Sequence, residues 1–256
     1  MRKFLRRSLA TACALLPLGC ANLNLYSDEE LEPLSAQAYE EVSQQYQVIT
    51  SGPNYEMVQR VAARITASTD VDFPWEARLL KADDVPNAFC LPNGRIAIYT
   101  GILPITQNED GLAAVMGHEV AHATLRHGGK RMTQGMLTQA AMSAVDAGLG
   151  VAEMTEGTRG IVMGVLGAGA QYGVLLPYSR DHETEADIEG IRYAIRAGYD
   201  PYEAPKLWER MAELGSGGPE WMSTHPASEA RAERLREAIP QIVEEEKGWQ
   251  PGPKTP

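Results

Sequence analysis

Three cysteines are too few to staple a chain of 256 residues. Cys13 and Cys20 fall in the first twenty residues, which leaves Cys90 alone in the body. An intramolecular disulfide framework is excluded there, and Cys90 reads as a small buried apolar residue. Basic residues are also scarce: Lys and Arg number 23 against 34 Asp and Glu, a net charge of −11. Four of the 23 (Arg2, Lys3, Arg6 and Arg7) lie in the first nineteen residues, where there is no acid, so the remainder carries −15. An acidic surface repels phosphate backbones and argues against nucleic acid as a partner. There is no internal repeat and no low-complexity segment. With 44% hydrophobic and 22% charged residues, the composition is that of a globular protein with one substantial core.

The leader has no run long enough to span a bilayer. Its uncharged stretch, residues 8–19, is twelve residues long, where a spanning helix needs about twenty. Behind the basic opening MRKFLRR, it reads as a secretory signal peptide over residues 1–19. The ending LGC resembles a bacterial lipoprotein signal. That resemblance implies a lipid on Cys20 and a tether over 20–27. Ala21, not Asp, follows Cys20, which implies an outer-membrane lipoprotein facing the periplasm. Pro17 and Leu18 depart from the usual signal, and the alternative is ordinary cleavage near Gly19 or Ala21 to give a soluble periplasmic protein. The closing PGPKTP, residues 251–256, reads as a disordered tail, leaving 28–250 as the folded domain.

Helical spacing puts Val42, Tyr46 and Ile49 on one face of a first helix from Asp28. After the break at SGPN, Val58, Val61, Ala62 and Ile65 continue on a second. WEARLLK reads as a strand. Asn93-Gly94 between two apolar runs predicts an antiparallel hairpin of Asn87–Leu91 with Arg95–Tyr99. At TQNED, Thr106 with Glu109 fits a capping box for a helix that runs to Gly128 and Gly129. Residues 132–177 are rich in Ala, Gly and Met, and the last 18 of them carry no charge. That is long enough to span a membrane, but the glycines favour a tightly packed buried helix, or helix and turn. Another helix starts at Ser179 and stops before Gly198. A further one follows Asp200-Pro201, and STHPASEARAERLREAI leads into the last. The sum is an α+β fold, predominantly helical, with a small sheet that contains antiparallel strands.

GHEVAHATLRHGG, residues 117–129, sets two imidazoles and a carboxylate on nearly one face of a run otherwise small and apolar. Positions four apart on a helix differ by about 40°. His118 and His122 can therefore turn to one spot and give two nitrogens to a tetrahedral zinc. Glu119 lies beside that spot without ligating, placed to take a proton from a water there. Two satisfied core histidines are the plain alternative. A third ligand is missing. The metzincin extension needs Gly at 125 and His at 128, where this chain has Leu125 and Gly128. His127 is about 140° round the helix from His122 and reads as a cap of the helix C-terminus. Cys90 does not sit in a deformylase-like motif. The better candidate is Glu183 in SRDHETEAD, four residues before Asp187 on one helix face. Glu183 would complete a His-His-Glu set, and Asp187 would accept the outer N–H of a zinc-binding histidine. That face also reads as an ordinary acidic helix N-terminus. His182 and Glu185 point elsewhere and read as surface residues. Taken alone, His225 is a loop histidine before a proline.

HEVAH, SRDHETEAD and THPASEAR, in that order, resemble the gluzincin metallopeptidase family of the bacterial HtpX, mitochondrial Oma-type and CAAX prenyl proteases. NAFCLPNGRIAIYTGIL resembles the family's strand segment before its zinc helix. The resemblance runs from Asn87 to Arg231, and size and leader point to the small periplasmic lipoprotein members. It implies a zincin-type peptidase domain with one Zn2+ per chain on His118, His122 and Glu183. Glu119 would be the base, and His225 would reach the developing oxyanion. Arg231 would support that site or pair with Glu residues of its own helix. Asn87, Ala88 and Phe89 would be the sheet edge that holds an extended peptide by main-chain hydrogen bonds; plain core packing is the other reading of Phe89. The implied activity is hydrolysis of peptide bonds in misfolded or damaged envelope proteins. Two alternatives stand beside it. One is an envelope chaperone or outer-membrane-protein assembly factor, partnered with the assembly machinery, in which proteolysis is secondary. The other is a structural zinc protein with four protein ligands and no turnover.

Overall fold

A computed structural model of the chain describes residues 23–146, 178–214, 221, 224–225 and 229–249. The expected signal peptide over residues 1–19, Cys20, the charge-free run at 160–177 and the expected tail at 251–256 lie outside the described residues. Ser27 opens the first helix, α1 (Asp28–Gln45), with a reciprocal capping box: its Oγ accepts from Glu30 N, and Glu30 Oε2 accepts from Ser27 N. The helix ends before Ile49, contrary to the helical spacing. Gln47–Ile49 is instead a strand, β1, antiparallel to β2 (Glu76–Lys81). Val48 and Ile49 are β-branched, and the ladder offers their backbone groups partners that an extra helical turn would not. Between these strands runs α2 (Pro53–Ala67).

The predicted hairpin is present as β3 (Ala88–Leu91) and β4 (Arg95–Tyr99), antiparallel and in register from Leu91↔Arg95 to Ala88↔Ile98. Asn93 and Gly94 turn the chain at φ 69° and 86°, the left-handed region that suits these two residues. The sheet order is β1-β2-β4-β3, with β2 and β4 parallel. β3 is thus an edge strand, next to the site described below. Alternation along the strands divides the core. Leu79, Ala88, Cys90, Ile96 and Ile98 face the main helical layer. Leu80, Phe89, Leu91, Ala97 and Tyr99 face α1 and Met132. Both faces are covered, as the apolar runs require.

After a 3-10 turn (Thr100–Ile102) and a short helix α3 (Leu103–Thr106) comes the central helix α4 (Glu109–Thr124). Its N-cap is Asn108, whose Oδ1 accepts from Gly111 N at 2.7 Å. Thr106 is taken up by α3, donating to Leu103 O, and Gln107 reverses the chain at φ 66° before the new helix starts. The helix also ends sooner than the glycines suggest. Arg126 sits at φ 56° and breaks the run, held by ion pairing to Asp28 at 2.7 Å. His127 then begins α5 (His127–Asp146), with Gly128 and Gly129 in its first turn against Pro92 and Asn24. α6 (Arg180–Arg196) starts at the Ser179 cap and packs along α4, and α7 (Glu203–Glu213) and α8 (Glu229–Glu245) close the layer. Among the described residues no helix is long and apolar enough to cross a membrane.

Candidate metal centre

Two helices supply the site because two glycines let them touch. A Cβ on Gly117 of α4 would lie 2.8 Å from the carbonyl oxygen of Gly190 on α6. Backbone contact at that crossing brings His118 and His122 within reach of Glu183 and Asp187, which lie 61 to 69 positions later in the chain. All four side chains are buried. The acidic face of α6 is therefore not an ordinary exposed helix start.

His118 Nε2 and His122 Nε2 are 3.0 Å apart. Glu183 Oε1 is 3.3 Å from His122 Nε2, and Glu183 Oε2 is 3.6 Å from His118 Nε2. His225, 107 residues from His118, brings its Nδ1 to 3.2 Å from His118 Nε2 and 2.9 Å from Glu183 Oε1. One ligand atom from each of His118, His122, Glu183 and His225 lies within 4.8 Å of every other. With metal–nitrogen bonds of about 2.0–2.1 Å, two corners of a tetrahedron stand about 3.3–3.4 Å apart. The observed separations bracket that length, so the donor set fits a zinc-sized ion. Glu183 Oε2 is buried and forms an ion pair with Arg231 Nη1 at 2.6 Å. Burial pushes the Glu183 carboxyl up, but His225, His122 and His118 around it outweigh burial and hold it well below the usual carboxylate range. Burial pushes the His122 imidazole well down. An anionic carboxylate beside a neutral imidazole is what a cation needs.

Glu119 lies beside the cluster with 2% exposure. Its Oε1 accepts from Trp221 Nε1 at 2.6 Å and faces His225 Nε2 at 3.4 Å. Trp221 is fully buried and stacks on Trp208 at 4.8 Å. The Tyr178 ring stacks on His122 at 3.9 Å, and the Arg131 guanidinium lies over the Tyr178 ring, 3.9 Å from its centre. Asp187 Oδ1 is 3.1 Å from His118 Nδ1, the outer nitrogen. Arg231 reaches the site: Nε donates to Asp187 Oδ2 at 2.6 Å, Nη2 to Oδ1 at 2.7 Å. The guanidinium lies 3.4 Å from the centre of the Trp208 ring. Burial pushes the Asp187 carboxyl up, and Arg231 overrides it to hold the group below its ordinary value.

Two expectations for this region are overturned. His127 does not cap α4. It starts α5, fully buried, with Nδ1 3.0 Å from His122 Nδ1, because the chain has already turned at Arg126. Burial pushes its pKa down to about 2. His182 is not on the surface but buried, stacked on His127 at 4.4 Å. Glu185 is at the surface, as expected, and its Oε2 also reaches inward to His127 Nε2 at 3.0 Å. Trp221, Tyr178 and Trp208 had no local signal. Phe89 packs its ring in the α1 core, 6.2 Å from Tyr99, so its side chain is core as the plainer reading has it. Asn87, Phe89, Cys90, Glu119, His122 and His225 nevertheless line one narrow cavity between the β3 edge and the cluster.

Fold and site together define the class: an α+β peptidase-type domain whose buried His118, His122, Glu183 and His225 could hold a metal ion. The chain belongs to Peptidase family M48, which it matches over residues 54–239. It is 34% identical over 231 residues, 86% of the chain, to the mitochondrial metalloendopeptidase OMA1 of Schizosaccharomyces pombe. Identity to OMA1 of Saccharomyces cerevisiae is 36% over 66% of the chain. Identity to the beta-barrel assembly-enhancing protease of Escherichia coli is 28% over 70% of the chain. The chain spans 65%, 48% and 37% of the lengths of these three relatives.

Proposed function

We propose that this chain is a zinc-dependent metalloendopeptidase in which His118, His122 and Glu183 hold one Zn2+ and Glu119 is the general base. What carries this reading is the convergence of those donors, each within 4.8 Å of the others, with the Glu119 carboxylate alongside. His118, His122 and Glu183 would hold the ion, which would supply Lewis acidity to the scissile carbonyl and to the attacking water. Glu119 takes the proton of the attacking water and later delivers it to the leaving amine. Trp221 donates to Oε1 of Glu119 and orients the carboxylate for that exchange. His225 donates to the oxyanion as charge develops. The edge strand at Asn87–Phe89 pairs with an extended substrate through its main chain. Glu119→Gln should keep zinc and lose casein cleavage; cleavage at the wild-type rate would remove Glu119 from this role.

The substrates proposed are misfolded or damaged proteins of a bacterial envelope, met by an outer-membrane lipoprotein anchored through Cys20. Support comes from the leader pattern and from the likeness to the Escherichia coli protease, whose name joins proteolysis to β-barrel assembly. The envelope assembly machinery is accordingly a proposed partner. Loss of membrane fractionation in Cys20→Ser is the test, and unchanged fractionation would sink the anchor.

A second reading is favoured by His225 Nδ1, which joins the donor set as a fourth protein group. Four protein ligands are the usual complement of a structural zinc site. X-ray absorption on the zinc-loaded protein distinguishes the two. Three protein ligands and a solvent oxygen support the peptidase, and a fourth protein ligand together with no peptidase activity supports the structural site.

A further inference from the structure

His127 has no part in the chemistry above, yet its ring is enclosed between a donor histidine and a carboxylate. Its Nδ1 lies 3.0 Å from Nδ1 of His122, and its Nε2 lies 3.0 Å from Oε2 of Glu185. His122 turns its other nitrogen, Nε2, to His118 and Glu183. The His182 ring lies nearly parallel to His127, 16° between planes, and holds the ring in place.

We propose that His127 is a positioning residue that couples the charge of Glu185 to the outer nitrogen of His122, and so sets which nitrogen of His122 faces the metal. This rests on the zinc reading above. Proton placement follows from the capacity of each group. A neutral imidazole has one N–H and one acceptor nitrogen. With Nε2 of His122 as a ligand, the His122 proton is on Nδ1 and points at His127. Nδ1 of His127 then accepts, so its own proton is on Nε2 and points at Glu185, which as a carboxylate only accepts. One arrangement satisfies the whole row. The reverse tautomer of His127 would set N–H against N–H at one end and a bare nitrogen against a carboxylate at the other.

His118 is held differently, its Nδ1 directly against Asp187 at 3.1 Å. Direct contact places Asp187 deep in the protein, where Arg231 compensates its charge. The intervening ring of His127 lets the second carboxylate stay at the surface, with the Glu185 side chain 45% exposed. The two donor histidines are thus oriented by two carboxylates, one in contact and one through a relay.

The test measures zinc affinity of the full chain by competition with a chromophoric chelator. Partners of metal ligands contribute about 10–100-fold to metal affinity. Glu185→Ala and His127→Phe should each weaken zinc binding by about that factor. Glu185→Gln, which keeps the acceptor oxygen and loses the charge, should weaken it less than Glu185→Ala. Because Glu185 is half exposed, its replacement leaves folding intact even where His127→Phe does not. Long-range proton–nitrogen NMR of the zinc-loaded wild type should show His122 protonated at Nδ1 and His127 at Nε2. Unchanged affinity in Glu185→Ala, or His127 protonated at Nδ1, overturns the relay alone. A wild-type chain that binds no zinc, or a His118→Ala chain that binds it as tightly, overturns the zinc reading and the relay together.

Discussion

Gly190 stands so close to His118 that a Cβ on it would lie 2.8 Å from the His118 amide nitrogen. The atoms in the way are backbone and cannot yield without moving a helix. Gly190→Ala should therefore push α6 from α4, at a cost of about 1–3 kcal/mol for overpacking. Ala gains about 1 kcal/mol over Gly in a helix, which offsets only part of this. The melting temperature should fall, by about 2–4 °C per kcal/mol for a chain of this size, and zinc affinity should fall with it. Wild-type values for both would mean the crossing has slack.

Glu183 and Asp187 should separate on metal analysis. Glu183→Ala removes a donor, so the purified protein should hold well under one zinc per chain and lose peptidase activity. Asp187→Asn removes only the carboxylate behind His118 and should weaken zinc about 10–100-fold while leaving the site loadable. If Asp187→Asn empties the site and Glu183→Ala does not, the two roles are exchanged.

Trp221→Phe deletes the 2.6 Å hydrogen bond to Glu119 and keeps an aromatic ring against Trp208. A hydrogen bond to a charged group contributes about 1.5–3 kcal/mol. Steady-state kinetics should show kcat lowered about 10-fold or more, with KM and zinc content unchanged. A loss confined to KM would place Trp221 in substrate binding instead.

Glu246, just past α8, accepts from Arg192 Nη1 at 2.9 Å and from Arg196 Nε at 2.7 Å, tying α8 to α6. Burial pushes its carboxyl up, but the two guanidinium groups outweigh burial and hold it below its ordinary value. A carboxyl with a lowered folded pKa stabilises the fold above its unfolded value of about 4.3 and loses that contribution as pH falls below it. Glu246→Gln should lower the melting temperature by roughly 3–6 °C at pH 7. The gap from wild type should close below pH of about 4. A gap of the same size at pH 3 would assign the effect to packing rather than charge.

Much of the fold was legible in local spacing. The hairpin at Asn93-Gly94, the Ser179 start of α6 and the buried face of α2 follow from turn chemistry and periodicity, whereas of the face read for α1 only Val42 lies in that helix. Where local signals competed, the reading slipped: Thr106 lost its cap to Asn108, and Ile49 left its helix for a strand. The same division runs through the site. Four-residue spacing aims His118 with His122, and Glu183 with Asp187, because helix periodicity acts within a turn. Which pair meets which, and that His225, Trp221 and Arg231 join them, depends on contacts spanning 40 to more than 100 residues. Those contacts are set by a helix crossing at Gly117 and Gly190, and a glycine inside a helix carries no mark of the backbone that will press against it. By itself, then, the sequence determined the elements, their buried faces and the donor types. The tertiary structure alone decided the distances between them, because close packing is settled between segments and not within them.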